Sequence, residues 1–178
     1  KFIEDGIKST LVEADPEYVL KNKEYFRTFS NVTIYPCAVW DRNGYIKLNK
    51  AESSTFAEEL VSSPAIVNDK YISDSDKKIT VEARTFDNID DGTIDLLSVD
   101  IEGGEWYVIK HLISRPDVIS IETHWKNYSN PFLNEISGWM KKNNYSIWYF
   151  DKSDTVYYKD NLFELTSFEK IENKFKGR

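Results

Sequence analysis

Residues 94–105 read Ile-Asp-Leu-Leu-Ser-Val-Asp-Ile-Glu-Gly-Gly-Glu. From Ile94 to Val99 the run is apolar apart from Asp95 and Ser98. A short apolar run bounded by turn residues reads as a buried strand. The pair Gly103-Gly104 ends it, and Glu105 to Leu112 reads as a helix. Strand, glycine turn and helix make half of a βαβ unit. Ligands of open α/β sheets bind at the carboxyl ends of the strands. Asp100 and Glu102 stand at such an end, and their spacing puts both side chains on one side of the strand.

Working outward, Ser9 to Glu13 reads as a strand, with Asp15 as N-cap and Pro16 in the first turn of a helix that runs from Glu17 to Phe26. Tyr18, Val19, Tyr25 and Phe26 are its expected inward residues. Val32 to Trp40 reads as a strand in which Pro36 requires an edge or a bulge. Asp41-Arg42-Asn43-Gly44 is a hairpin turn that should pair Tyr45–Leu48 with the strand before it. Residues 51–78, with Ser53, Ser54, Ser62, Ser63 and Ser73, are polar and weakly patterned, and read as a long loop that shapes the site. Ile79–Phe86 and Val118–His124 alternate or run apolar as strands. A helix is expected over 105–114, and another over Pro131–Asn143 with Phe132, Ile136, Trp139 and Met140 at helical spacing. Tyr145–Phe150 and Thr155–Tyr158 form a terminal antiparallel hairpin. Strands alternating with helices predict an α/β sheet, mostly parallel, in one domain over 1–165, followed by a polar, basic tail over 166–178.

Composition narrows the function classes. A chain of 178 residues with 40% hydrophobic and 15% aromatic content can build one core. Its formal charge of −7 argues against nucleic acid as the main partner, because phosphate binding needs a basic surface. The single cysteine, Cys37, allows no internal disulfide and fits a reducing, cytoplasmic setting; it reads as a core residue. No apolar run approaches the roughly 20 residues of a spanning helix. The oligomeric state is left open.

Three strand ends carry acids: Glu13; Asp100 with Glu102; and Glu122 with His124. In a parallel sheet these ends share one edge and can converge. An acid that ends a strand before a helix is a place to hold ribose hydroxyls, although on spacing alone Glu13 reads first as a solvated acid near a helix N-terminus. Asp100 and Glu102 could bind a metal, act as general base or hold a cationic ligand; alternatively Asp100 caps the next helix. Glu122 and His124 share a face, and a histidine accepts protons near neutral pH.

In this order and spacing, L-V-E-A-D-P (11–16), N-V-T-I-Y-P-C-A-V-W-D-R-N-G (31–44), S-S-T-F (53–56), T-F-D-N-I (85–89), the 94–105 segment and V-I-S-I-E-T-H (118–124) resemble the FkbM-type methyltransferases. The resemblance covers roughly residues 9–160, and D-I-E-G-G-E is its most specific part. It implies a Rossmann-like methyltransferase fold: a mostly parallel central sheet, helices on both faces and a C-terminal antiparallel hairpin. It also implies S-adenosylmethionine as cofactor and a hydroxyl acceptor on a sugar, glycan or small natural product. By position, Glu13 and Ala14 would lie at the cofactor's ribose, Cys37, Ala38 and Val39 near its adenine, and Asp100 at its methionine end. Asp100, Glu102, Glu122 and His124 become the catalytic candidates, and no metal ligand is assigned.

One departure stands out. The family's first strand and glycine-rich loop should precede Ser9, but only Lys1–Lys8 stand there, and a parallel crossover needs about a dozen residues. Lys1–Gly6 therefore reads as the end of a helix. The absent strand would lie between the strands at 10–13 and 95–100 and leave unpaired backbone there. With Lys1 rather than Met at its start, the chain reads as part of a longer protein. Two other readings stay open: a methyltransferase-like binding module without the cofactor loop, and a divalent-metal hydrolase built on Asp100, Glu102, Glu122 and His124.

Overall fold

A computed structural model describes residues 1–51, 54–72 and 74–166. Ser53 and Ser73 of the expected loop, and the expected tail beyond Thr166, lie outside the described residues. The chain opens with a helical turn closed at Gly6, where φ is +84°. The Gly6 N–H donates to Ile3 O and the Ile7 N–H to Phe2 O, the paired bonds of a Schellman helix end, as expected for this segment.

Strand β1 (Ser9–Val12) leads through Asp15 into α1 (Pro16–Tyr25), whose first turn is closed by the Glu17 N–H donating to Asp15 Oδ1. Of the four residues expected to face inward on α1, Val19 alone is buried; Tyr18 and Tyr25 are 45% and 70% exposed. The helix covers little apolar surface, and its aromatic rings pack on one another at its end, Tyr25 against Phe26.

The run 32–40 divides at Pro36 into β2 (Val32–Tyr35), parallel to β1, and β3 (Ala38–Val39). The expected hairpin across Asn43-Gly44 is not formed. Strand β4 (Gly44–Ala51) pairs antiparallel with β5 (Ser54–Ala57) and with β6 (Lys78–Arg84), and β6 lies between β4 and β3. Asn43 turns the chain by a different device: its Oδ1 accepts the Thr85 N–H, which ties the turn to the end of β6. Nor is 51–78 a bare loop, since it holds β5, the short helix α2 (Pro64–Asn68) and a 3-10 turn over 75–77.

Strand β7 (Leu96–Val99) precedes α3 (Glu105–Ile109), which is shorter than expected. The Asp90 carboxylate draws the chain away by accepting the N–H groups of Ile113 and Ser114. Strand β8 (Val118–Glu122) is followed by a small ribbon of β9 (His124–Trp125) and β10 (Tyr128–Ser129), then α4 (Leu133–Lys142). On α4 Ile136 and Met140, one turn apart, are both buried. The terminal hairpin of β11 (Tyr145–Phe150) and β12 (Asp154–Lys159) forms as expected, and β12 joins β8.

The result is α/β, but with small mixed sheets where one mostly parallel sheet was expected. The orders are β11-β12-β8-β7, β3-β6-β4-β5 and the pair β1-β2. The β1–β2, β3–β6 and β7–β8 pairs are parallel, and the others in these sheets antiparallel. Parallel pairing stops where the chain does not cross over: β1 and β7 each have one unpaired edge among the described residues. One core lies under β7, β8, α3 and α4, centred on Ile109, Ile119, Ile121 and Ile136, none of them exposed. A second lies around β4, β5 and β6, with Trp40, Leu48 and Phe56. Each such side chain contributes roughly 1.5–3 kcal/mol by leaving water. Among the described residues no helix is long and apolar enough to cross a membrane.

Candidate active site

A cavity of about 440 Å³ opens where the carboxyl ends of β1, β2 and β7 meet. Its wall includes Glu13 and Ala14 after β1, Cys37, Ala38 and Val39 after β2, and Asp100 and Glu102 after β7. All the residues expected at the cofactor, and two of the four expected to be catalytic, therefore line one space. Trp40 lines it as well; the residue is buried, its indole Nε1 has no hydrogen-bond partner, and its ring lies 4.5 Å from that of Tyr107.

Each wall is set by local chemistry. The Glu13 carboxylate accepts the Asp15 N–H at 2.8 Å through Oε1. Buried Asp15 caps α1 and pairs with Lys50 Nζ at 2.8 Å, which fixes the floor. Burial acts to raise the Asp15 pKa, but the Lys50 ammonium and the Glu17 N–H outweigh it and hold it below the usual range. Cys37 is buried, and burial pushes its thiol up, the opposite of a reactive thiolate.

The acid end is built on the turn after β7. Asp100 does not cap α3; the N-cap is Gly104, without a side-chain bond. Glu105 organises the turn instead. It is wholly buried, and its Oε1 accepts the N–H groups of Ile101 at 2.9 Å and Gly103 at 3.1 Å. Its Oε2 accepts the side-chain amide of Asn130. These bonds hold Glu102 in the left-handed region at φ +59°, which costs a residue with a side chain roughly 1–2 kcal/mol. Gly103 follows at φ +111°, and a Cβ there would stand 2.8 Å from the Ser62 carbonyl oxygen, so only glycine fits.

Glu122, at the end of β8, is 8% exposed and brings its carboxylate to the same place. One carboxylate oxygen from each of Asp100, Glu105 and Glu122 lies within 4.8 Å of the other two. Burial, then the neighbouring acids, raises the pKa of Glu122 to about 8. Burial raises Glu102 to about 7 against a hydrogen bond from Ser54, and Glu105 to about 7 against its backbone donors. Asp100 is exposed, yet the protein crowding its carboxyl and the Asp154 charge raise its pKa as well. Glu102 Oε2, Glu122 Oε2 and the Tyr128 hydroxyl are buried without partners.

His124 is placed differently. It sits on β9, half-buried, with Nδ1 at 2.8 Å from the Thr123 hydroxyl and its ring edge-on to Phe150. Neither it nor Glu122 lines the cavity. Sequence reasoning passed over Glu105, Tyr128 and Asn130. A signal for Glu105 exists: it follows two glycines after an acid pair, where a carboxylate can reach back to the free N–H groups of its own turn.

A family profile described as the methyltransferase FkbM domain matches residues 1–147. Among solved structures, methyltransferase FkbM from Methylobacillus flagellatus KT is similar, with 16% identity and a TM-score of 0.46 over 84% of this chain. The matched region is 36% of that protein, so this chain spans about a third of its length. No curated protein matches the sequence.

Proposed function

Because this chain belongs to the FkbM methyltransferase family, we propose that it transfers the methyl group of S-adenosylmethionine to a hydroxyl oxygen of a sugar, glycan or small hydroxylated product. The observation that carries this reading is the shared cavity, which joins Glu13 and Cys37–Val39 to Asp100 and Glu102. The donor set suits the cofactor: a carboxylate for ribose hydroxyls, a small apolar wall for a purine, an unpartnered indole N–H, and acids toward a cationic end. The volume lies in the ordinary range for small-molecule sites. The parallel pairs whose carboxyl ends form the cavity support a Rossmann-like reading of the fold.

When bound, S-adenosylmethionine supplies an electrophilic methyl group on a sulfonium. The chain has three tasks around it. Glu13 would hold the ribose, and Cys37, Ala38 and Val39 would exclude water from the base. Glu102 takes the acceptor's proton at Oε2, an atom already desolvated and without another partner. Asp100 adds negative charge that favours a cationic ligand over its neutral product, and Glu122, which keeps its proton near neutral pH, stands with His124 on the acceptor side. The acceptor oxygen must be held at roughly 3 Å from the methyl carbon, which a turn locked by Glu105 can do.

The unpaired edges of β1 and β7 favour a second reading, a methyltransferase-like binding module without catalysis. Calorimetric titration with S-adenosylhomocysteine separates the two, on this chain and on a form extended upstream. We expect saturable binding, weakened at least tenfold by Glu13→Ala. Absence of binding to both forms would overturn the methyltransferase reading in favour of the module.

A further inference from the structure

Beside the acid end of the cavity the chain gathers more carboxyl groups than proton transfer needs. None of the ion pairs among the described residues involves Asp100, Glu102, Glu105 or Glu122. Clustered acids are common on protein surfaces, but this cluster differs in two respects. Glu122 is more than nine-tenths buried, one of its carboxylate oxygens belongs to the cluster, and its Oε2 has no hydrogen-bond partner. Glu105 is oriented by the Ile101 and Gly103 N–H groups and by the Asn130 amide, the outer bonds by which proteins aim a ligating carboxylate.

The spacing fits a single ion. Oxygens on opposite sides of a hard cation stand at twice the metal–oxygen distance, roughly 4.2 Å for Mg²⁺ and up to about 5 Å for Ca²⁺. The three oxygens lie within 4.8 Å of one another, inside the Ca²⁺ end of that range. An all-oxygen carboxylate set selects hard cations over zinc or copper, which favour nitrogen and sulfur.

We propose that Asp100, Glu105 and Glu122 form a site for one hard divalent cation, such as Mg²⁺, Mn²⁺ or Ca²⁺, beside the acid end of the cavity. The set differs from the one read from sequence: Glu105 enters, and Glu102 and His124 stay outside it. The purpose of the site rests on the methyltransferase reading: with Asp100 at the solvent side, the ion keeps an open position for an acceptor hydroxyl beside Glu102. Its chemistry does not depend on that reading. Acceptors offering an oxygen to a cation, such as sugar hydroxyls, are the class it takes.

The test is titration with Mn²⁺ alone, followed by electron paramagnetic resonance, on the native chain and on Glu122→Gln and Asp100→Asn. The expected result is one Mn²⁺ per chain, displaced by Mg²⁺, and bound at least tenfold more weakly by each variant. Absence of saturable binding, or binding unchanged in both variants (an adventitious ion only), would overturn the site. If Glu122→Gln does not fold, the exposed Asp100→Asn decides. S-adenosylhomocysteine calorimetry runs in parallel. Mn²⁺ binding without cofactor binding keeps the site and removes methyl transfer; the converse removes the site alone.

Discussion

Glu122 shows what a buried acid costs. Its carboxyl titrates near 8 in the folded chain against about 4.5 when free, because burial and its acid neighbours penalise the charge. Between those values the folded state holds a proton that the unfolded state has released, so stability falls as pH rises from about 4.5 to 8. Below about 4.5 this contribution is fully present. In buffer free of divalent cations at pH 8, Glu122→Gln should therefore raise stability, on the order of 4 kcal/mol, read from urea unfolding. At pH 4 the gain should vanish, and a gain that persists there would point to packing instead of charge. Glu102, held left-handed beside a glycine that no side chain can replace, is a second residue kept against its own preference.

Among the elements, α1 depends most on its ends. It buries only Val19, so its stability rests on Asp15, which caps the first turn and pairs with Lys50 from β4. Asp15→Ala should cost about 1–2 kcal/mol in thermal unfolding, and more than Lys50→Ala, which leaves the cap in place. The same contrast shows what was legible in the sequence. Asp15-Pro16 announced a helix start, the 94–99 run a strand, and the 145–158 alternation a hairpin, because each is a local preference that the fold respects. Asn43-Gly44 misled because the residues before it found a better partner in β6, a pairing 45 residues away that no local pattern encodes. Of the cavity wall, Glu13 and Asp100 were visible as strand-end acids, whereas Cys37, Ala38 and Val39 entered only through the family resemblance. Glu105 was not, since a buried carboxylate and a solvated first-turn glutamate look alike until Asn130 and the turn N–H groups are placed around it.

At the scale of the whole molecule, the cavity stands between two strand pairs that do not join. β1 and β7 each present an unpaired edge among the described residues, and Leu96 on β7 is 54% exposed. Such edges invite pairing with another chain. Leu96→Lys should lower concentration-dependent association in sedimentation without changing the melting temperature by more than a few degrees. Trp40 gives the cavity a further property. Its ring forms part of the wall, its N–H is unspent, and Tyr107 lies against it. Whatever occupies the space touches a fluorophore. Ligand binding should therefore change tryptophan emission, and Trp40→Phe should remove that response while the other four tryptophans still emit. The protein carries its own optical gauge of occupancy, readable before any substrate is known.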